Sequence, residues 1–80
     1  MERLEKDFPI VKVVWHDAVS YDPWESITEV NHEPARIVTV GFLLKDDGNV
    51  TVAQTLDTSN EKCCLVMVIP AGWIESISIL

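Results

Sequence analysis

Five short runs of β-branched and apolar residues, separated by turn-forming residues, constrain this chain more than any other feature. Ile10 to His16 reads Ile-Val-Lys-Val-Val-Trp-His and follows Pro9. Branched and aromatic side chains fit a pleated surface, so the run predicts a strand. Side chains alternate across a strand. Val11, Val13 and Trp15 therefore share one face, and Ile10, Lys12, Val14 and His16 share the other. The first set is the expected core face, because the second holds a lysine. Arg36 to Leu44 predicts a second strand, apolar at nearly every position, so that both of its faces are expected to be covered. Gly41 in its middle predicts a bulge or a sharp bend. Lys45-Asp46-Asp47-Gly48-Asn49 predicts a turn in which Gly48 takes a positive φ. Val50 to Leu56 predicts the third strand, with Val50, Val52, Gln54 and Leu56 on one face. After the polar turn Asp57 to Glu61, Cys63 to Ile69 predicts the fourth. Pro70-Ala71-Gly72 breaks it, and Trp73 to Leu80 predicts a short last strand.

The segment between the first two strands differs in character. Asp17 to Glu33 holds five acids (Asp17, Asp22, Glu25, Glu29, Glu33) and no lysine or arginine. Asp22 as N-cap, Pro23 at the first helical position and Glu25 three residues after the cap form a helix-start signal. Trp24, Ile27 and Val30 follow at spacings of three. Two readings stay open here: a helix of about two turns burying that stripe, or an irregular excursion. Residues 1 to 8 form a charged N-terminal arm, and residues 9 to 80 a single small domain. Five strands on 80 residues must curl to bury apolar side chains. The expected architecture is mainly β: a small five-stranded SH3-like (Sm-like) barrel with one short helix or irregular excursion after the first strand. The break at Pro70 to Trp73 falls where such barrels carry a single 3₁₀ turn.

The chain also resembles a group of small phage- and prophage-encoded proteins of unassigned role. The residues that carry the likeness are Val14-Trp15-His16-Asp17-Ala18-Val19-Ser20, then Trp24. Thr39 to Asp46 and Val68-Ile69-Pro70-Ala71-Gly72-Trp73-Ile74 complete it. The resemblance implies a phage or prophage origin and a bacterial host cytoplasm. It implies no activity.

Charge and cysteine usage narrow the function classes. The net charge is −7, from thirteen acids against six bases. Phosphate neutralisation needs clustered bases, whereas Arg3, Lys6, Lys12, Arg36, Lys45 and Lys62 are scattered. Direct nucleic-acid binding and attachment to a membrane are not expected. Cys63 and Cys64 are adjacent and close no loop, which fits a reducing cytoplasm. One of them is expected in the core and the other half exposed. The N-terminus is charged, without a signal-peptide pattern. Asn49-Val50-Thr51 matches a glycosylation acceptor and is read as chance. No zinc-type ligand spacing links His16, Asp17, His32 and the cysteines, and each glycine is accounted for by a bend or turn. No catalytic residue, metal or cofactor is assigned, and the chain is read as a non-enzyme.

The aromatic residues carry more. Trp15 is expected in the core, and Trp73 is expected to plug one end of the barrel. For Trp24 the plainer reading is a staple holding the excursion against the sheet. The functional reading makes Asp17, Tyr21, Asp22, Trp24, Glu25 and Glu29 an acidic aromatic patch. Such a patch suits a basic or proline-rich protein partner, because aromatic side chains supply anchor area and acids steer the encounter. The leading expectation is thus a non-catalytic protein-interaction module whose partner is a protein of the bacterial host. A second is a self-assembling homo-oligomer or small-ligand-binding protein. A third is an acidic DNA mimic that inhibits a host nucleic-acid enzyme.

Overall fold

The computed structural model describes residues 7–20 and 24–80. All five expected strands form, as β1 (Ile10–Asp17), β2 (Ala35–Asp46), β3 (Val50–Asp57), β4 (Lys62–Ile69) and β5 (Ile74–Ile79). They make one antiparallel sheet in the order β4-β3-β2-β1-β5. A 3₁₀ turn, Ala71–Trp73, precedes β5 as expected. The expected closure into a barrel is not seen. Strands β4 and β5 are the two ends of the sheet and do not pair, so the sheet is open. No α-helix forms among the described residues, and residues 24–34 run as an irregular excursion with a turn at residues 27–29. The helix-start signal rests partly on Asp22 and Pro23, which lie outside the described residues, as does most of the charged arm.

Residues paired across neighbouring strands share a face. The inner face carries a cluster of Val11, Val13 and Trp15 from β1, Val50 and Val52 from β3, and Ile69 at the end of β4, with Ile37, Leu43 and Ile74 packed against it. The alternation read from β1 therefore sets the core face, with two additions: Val14 of β1 and Ala53 of β3, on the opposite face, are also buried. Trp15 Nε1 donates to Thr39 Oγ1 at 3.0 Å, which pairs the one polar atom that this side chain carries into the core. Trp73 stacks on Trp15 with ring centroids 6.4 Å apart. It leaves 44 % of its own surface exposed. It lies over the core instead of plugging an end, because an open sheet has no end to plug.

Two irregularities re-aim side chains. The β2–β3 register shifts between Leu43 and Lys45, leaving Leu44 as the extra residue of a bulge. Gly41, where the bulge or bend was expected, has another role. A Cβ there would sit 2.8 Å from the backbone oxygen of Ala53, so glycine lets β2 approach β3 closely. The β1–β5 register shifts opposite Glu75, since Val14 pairs with Ser76 and Trp15 with Ile74. The turn after β2 takes the expected form, with Gly48 at φ 106°. Asn49, read as a chance acceptor motif, is structural: its Oδ1 accepts from the Ala71 N–H at 3.0 Å and ties this turn to the 3₁₀ turn.

Candidate interaction surfaces

Short strands and one open sheet leave two sets of apolar residues without cover. The first set is in the excursion. Asp17 ends β1, and its Oδ1 accepts from the Ala18 N–H at 2.8 Å, which turns the chain out of the sheet. The Glu29 N–H donates to the Ser26 carbonyl at 3.0 Å and closes the turn. Trp24 is 100 % exposed and Ile27 89 %. The staple reading of Trp24 therefore fails, because the side chain touches nothing that shields it. Glu25 and Glu29 are exposed on the same stretch. Tyr21 and Asp22, the other two members of the expected patch, lie outside the described residues. At the base of the excursion Val19, Val30, His32 and Pro34 line a shallow recess of about 370 Å³.

The second set is on the sheet. Seven of the eight β4 residues are exposed, on both faces of the strand. The outer face of the sheet holds a registered row, Ile10 to Phe42 to Ala53 to Val66, whose ends Ile10 and Val66 are exposed while Phe42 is half-buried and Ala53 is buried. Val40 and Val68 flank this row and are exposed. The expectation that both faces of β2 are covered fails at Val38 and Val40, which face outward and stay in solvent. Periodicity flagged β4 as a strand but could not show that neither of its faces would be covered. That depends on which strands pair at the ends of the sheet.

His16 Nε2 lies 3.0 Å from Glu75 Oε1, and Arg36 Nη2 donates to Glu75 Oε2 at 3.2 Å. The hydrogen bond from Arg36, then that from His16, holds the Glu75 carboxyl below its usual range. All three side chains are well exposed. The bulge at Glu75 explains the geometry: the extra residue turns this carboxylate toward the paired residues His16 and Arg36. The second perturbed acid is Asp57, lowered chiefly by the Asn60 side chain and also by the Asn60 and Ser59 N–H groups. It caps the β3–β4 turn. His32 and Asp17 do not join a cluster, and among the described residues no three His, Cys, Asp or Glu side chains converge as metal ligands. Cys63 and Cys64 are both free and exposed, so the expected split into core and surface does not hold. Cys63 lines a shallow apolar recess of about 330 Å³ with Phe8, Leu44 and Leu56. Among the described residues no helix is long and apolar enough to cross a membrane. The chain matches no protein-family model, no curated protein and no solved structure.

Proposed function

We propose that this chain is a non-catalytic protein-interaction module whose contact surface is the acidic excursion between β1 and β2. The observation that carries the reading is Trp24, wholly exposed, with Ile27 nearly so. A tryptophan in water is a large apolar area, and here no contact among the described residues shields it. Anchors of this type contribute most of the energy at protein interfaces. The same segment carries Asp17, Glu25, Glu29 and Glu33, and residues 17 to 33 include no lysine or arginine. The chemistry fits a partner segment that offers an apolar pocket rimmed by lysine or arginine. The acids would act mainly on the rate of encounter and the indole on the lifetime of the complex.

The resemblance to small phage and prophage proteins supports a partner in the bacterial host cytoplasm, and two free exposed cysteines fit that compartment. The β1–β4 meander, with β5 returning beside β1 after a 3₁₀ turn, supports an SH3-like sheet that stops short of closure.

The test is capture from bacterial host lysate on the immobilised chain, with Trp24→Ala/Ile27→Ala as the control. Both side chains are exposed, so the fold of the control, checked by circular dichroism, should match the parent. A specific partner retained by the parent, lost on the control and bound more slowly at high salt is the expected result. A partner retained equally by both would move the site elsewhere.

A further inference from the structure

We infer that β4 pairs with β4 of a second copy, antiparallel about a twofold axis, so that two sheets join into one. Four observations converge on this edge. Strand β4 is the end of the sheet, with β3 as its only neighbour among the described residues. The N–H and C=O groups on its outer side are therefore open to another strand. Proteins commonly guard such edges with internal charges or proline. Between Lys62 and Pro70, which bracket its ends, β4 has neither. The opposite edge, β5, is shorter and carries Glu75, Ser76 and Ser78.

Charge selects the occupant. Two copies of a −7 chain repel wherever their acids meet. None of the thirteen acids lies between Lys62 and Ile74. The β4 edge is thus where copies approach with least repulsion. It also offers a charged foreign partner only Lys62. A second β4 edge is free of acids, mostly apolar and equal in length. Closed twofold dimers formed by one self-complementary patch are the commonest protein assembly.

Apolar exposure points the same way. The outer row from Ile10 through Phe42 and Ala53 ends at Val66, 46 % exposed, beside Val68, 59 % exposed. A second β4 alongside would extend that row into the other copy.

The register follows from the backbone. Leu65 has φ 55°, a left-handed conformation that bends the strand, and Pro70 has no N–H to donate. The regular edge is Val66 to Ile69. A twofold perpendicular to the sheet keeps each face continuous only if one residue sits on the axis. Met67 on the axis sets Val66 directly opposite Val68 of the second copy. So short a pairing lies at the small end of interface sizes, and the dimer is reversible.

The test uses the full chain. Sedimentation equilibrium of the parent should show mass rising from 9.0 kDa toward twice that value across the micromolar to millimolar range. Val66→Lys/Val68→Lys places lysine opposite lysine at both positions and should hold the chain at monomer mass. Val66→Lys/Val68→Glu places lysine opposite glutamate and should restore the dimer, with the restored dimer weakening in high salt. Both positions are exposed in the single chain, so circular dichroism should show all three folded alike. A parent at monomer mass throughout overturns the inference without reference to any variant. Association unchanged in the double-lysine variant, or absent in the lysine–glutamate variant, overturns the β4 pairing. Partner capture through Trp24 is read separately, so either proposal can fail alone.

Discussion

Replacing Gly41 by alanine sets two opposed effects against each other. Alanine restricts the unfolded chain, and at a site that accepts it this stabilises by about 0.4–1 kcal/mol. The Gly41 backbone is not in the left-handed region, so torsion alone would allow the change. Space does not. The new Cβ would lie 2.8 Å from the Ala53 oxygen and 3.3 Å from its carbonyl carbon. The obstacle is main chain in the adjacent strand, which cannot rotate away as a side chain could. Ala53 pairs with both Phe42 and Val66, so moving it disturbs two ladders. Overpacking of this kind costs about 1–3 kcal/mol, and each stretched ladder bond adds a share of its roughly 1 kcal/mol. Sterics win, and the net expectation is a loss of about 1–2 kcal/mol. At a urea slope near ~1 kcal/mol per molar for a chain this small, the midpoint falls by about 1–2 M. Gly72→Ala is the internal control, since nothing lies within 4 Å of its Cβ position. It should leave the midpoint unchanged or raise it slightly. Urea titrations followed by far-ultraviolet circular dichroism, at one low protein concentration so that association does not contribute, measure both. A Gly41→Ala midpoint equal to or above the parent's would refute the close-approach account of this glycine.

Two further outcomes follow from the core and the turns. Trp15→Phe removes the Nε1–H bond to Thr39 and part of the stack with Trp73. It should cost about 2 kcal/mol in the same urea assay, and a loss well under half of that would mean the bond contributes little. Glu75 and Asp57 both have folded pKa values below their unfolded ones. Their contributions are therefore complete above the ordinary carboxylate values, about pH 4, and disappear as pH falls through the lowered folded values. Glu75→Gln/Asp57→Asn should lower the neutral stability by the small amount these exposed groups contribute and flatten the acid limb of a stability–pH curve by that same amount. An acid limb as steep as the parent's would assign acid sensitivity to other carboxylates.

The strands and turns were legible because their signals are local. Branched runs bounded by Pro9, by Asp46-Asp47-Gly48 and by Pro70 set the elements within a residue or two, and Gly48 takes the positive φ its turn requires. What was not legible depends on distant pairing. Closure of the barrel would need β4 beside β5, and no periodicity within either strand encodes that contact. The role of Gly41 depends on the Ala53 carbonyl across the sheet, and the bulges fall at Leu44 and Glu75, which carry no glycine to announce them. Both cysteines are exposed because the sheet ends at β4, although each sits in a run that reads as core. The acidic patch was legible as composition alone. That Trp24 stands free of the sheet is a fact about contacts the excursion does not make.

The placement of charge connects the two proposed surfaces. Most of the acids lie outside the strands, above all in the excursion, while the segment from Lys62 to Ile74 is free of them. Repulsion between copies is thereby kept away from the edge proposed to pair. In the sheet order, β4 is separated by β3 from β2, where the excursion re-enters the sheet. Pairing through β4 therefore leaves Trp24 open on each copy. A dimer would display two acidic excursions on one continuous sheet, and a partner with two basic sites within reach would gain avidity with no new contact. The gain depends on concentration, because a short edge pairing dissociates on dilution. Partner affinity measured on the parent should then exceed that of Val66→Lys/Val68→Lys only against a bivalent partner. Against a single immobilised basic site the two should bind alike, apart from a small repulsion from the added lysines that salt removes.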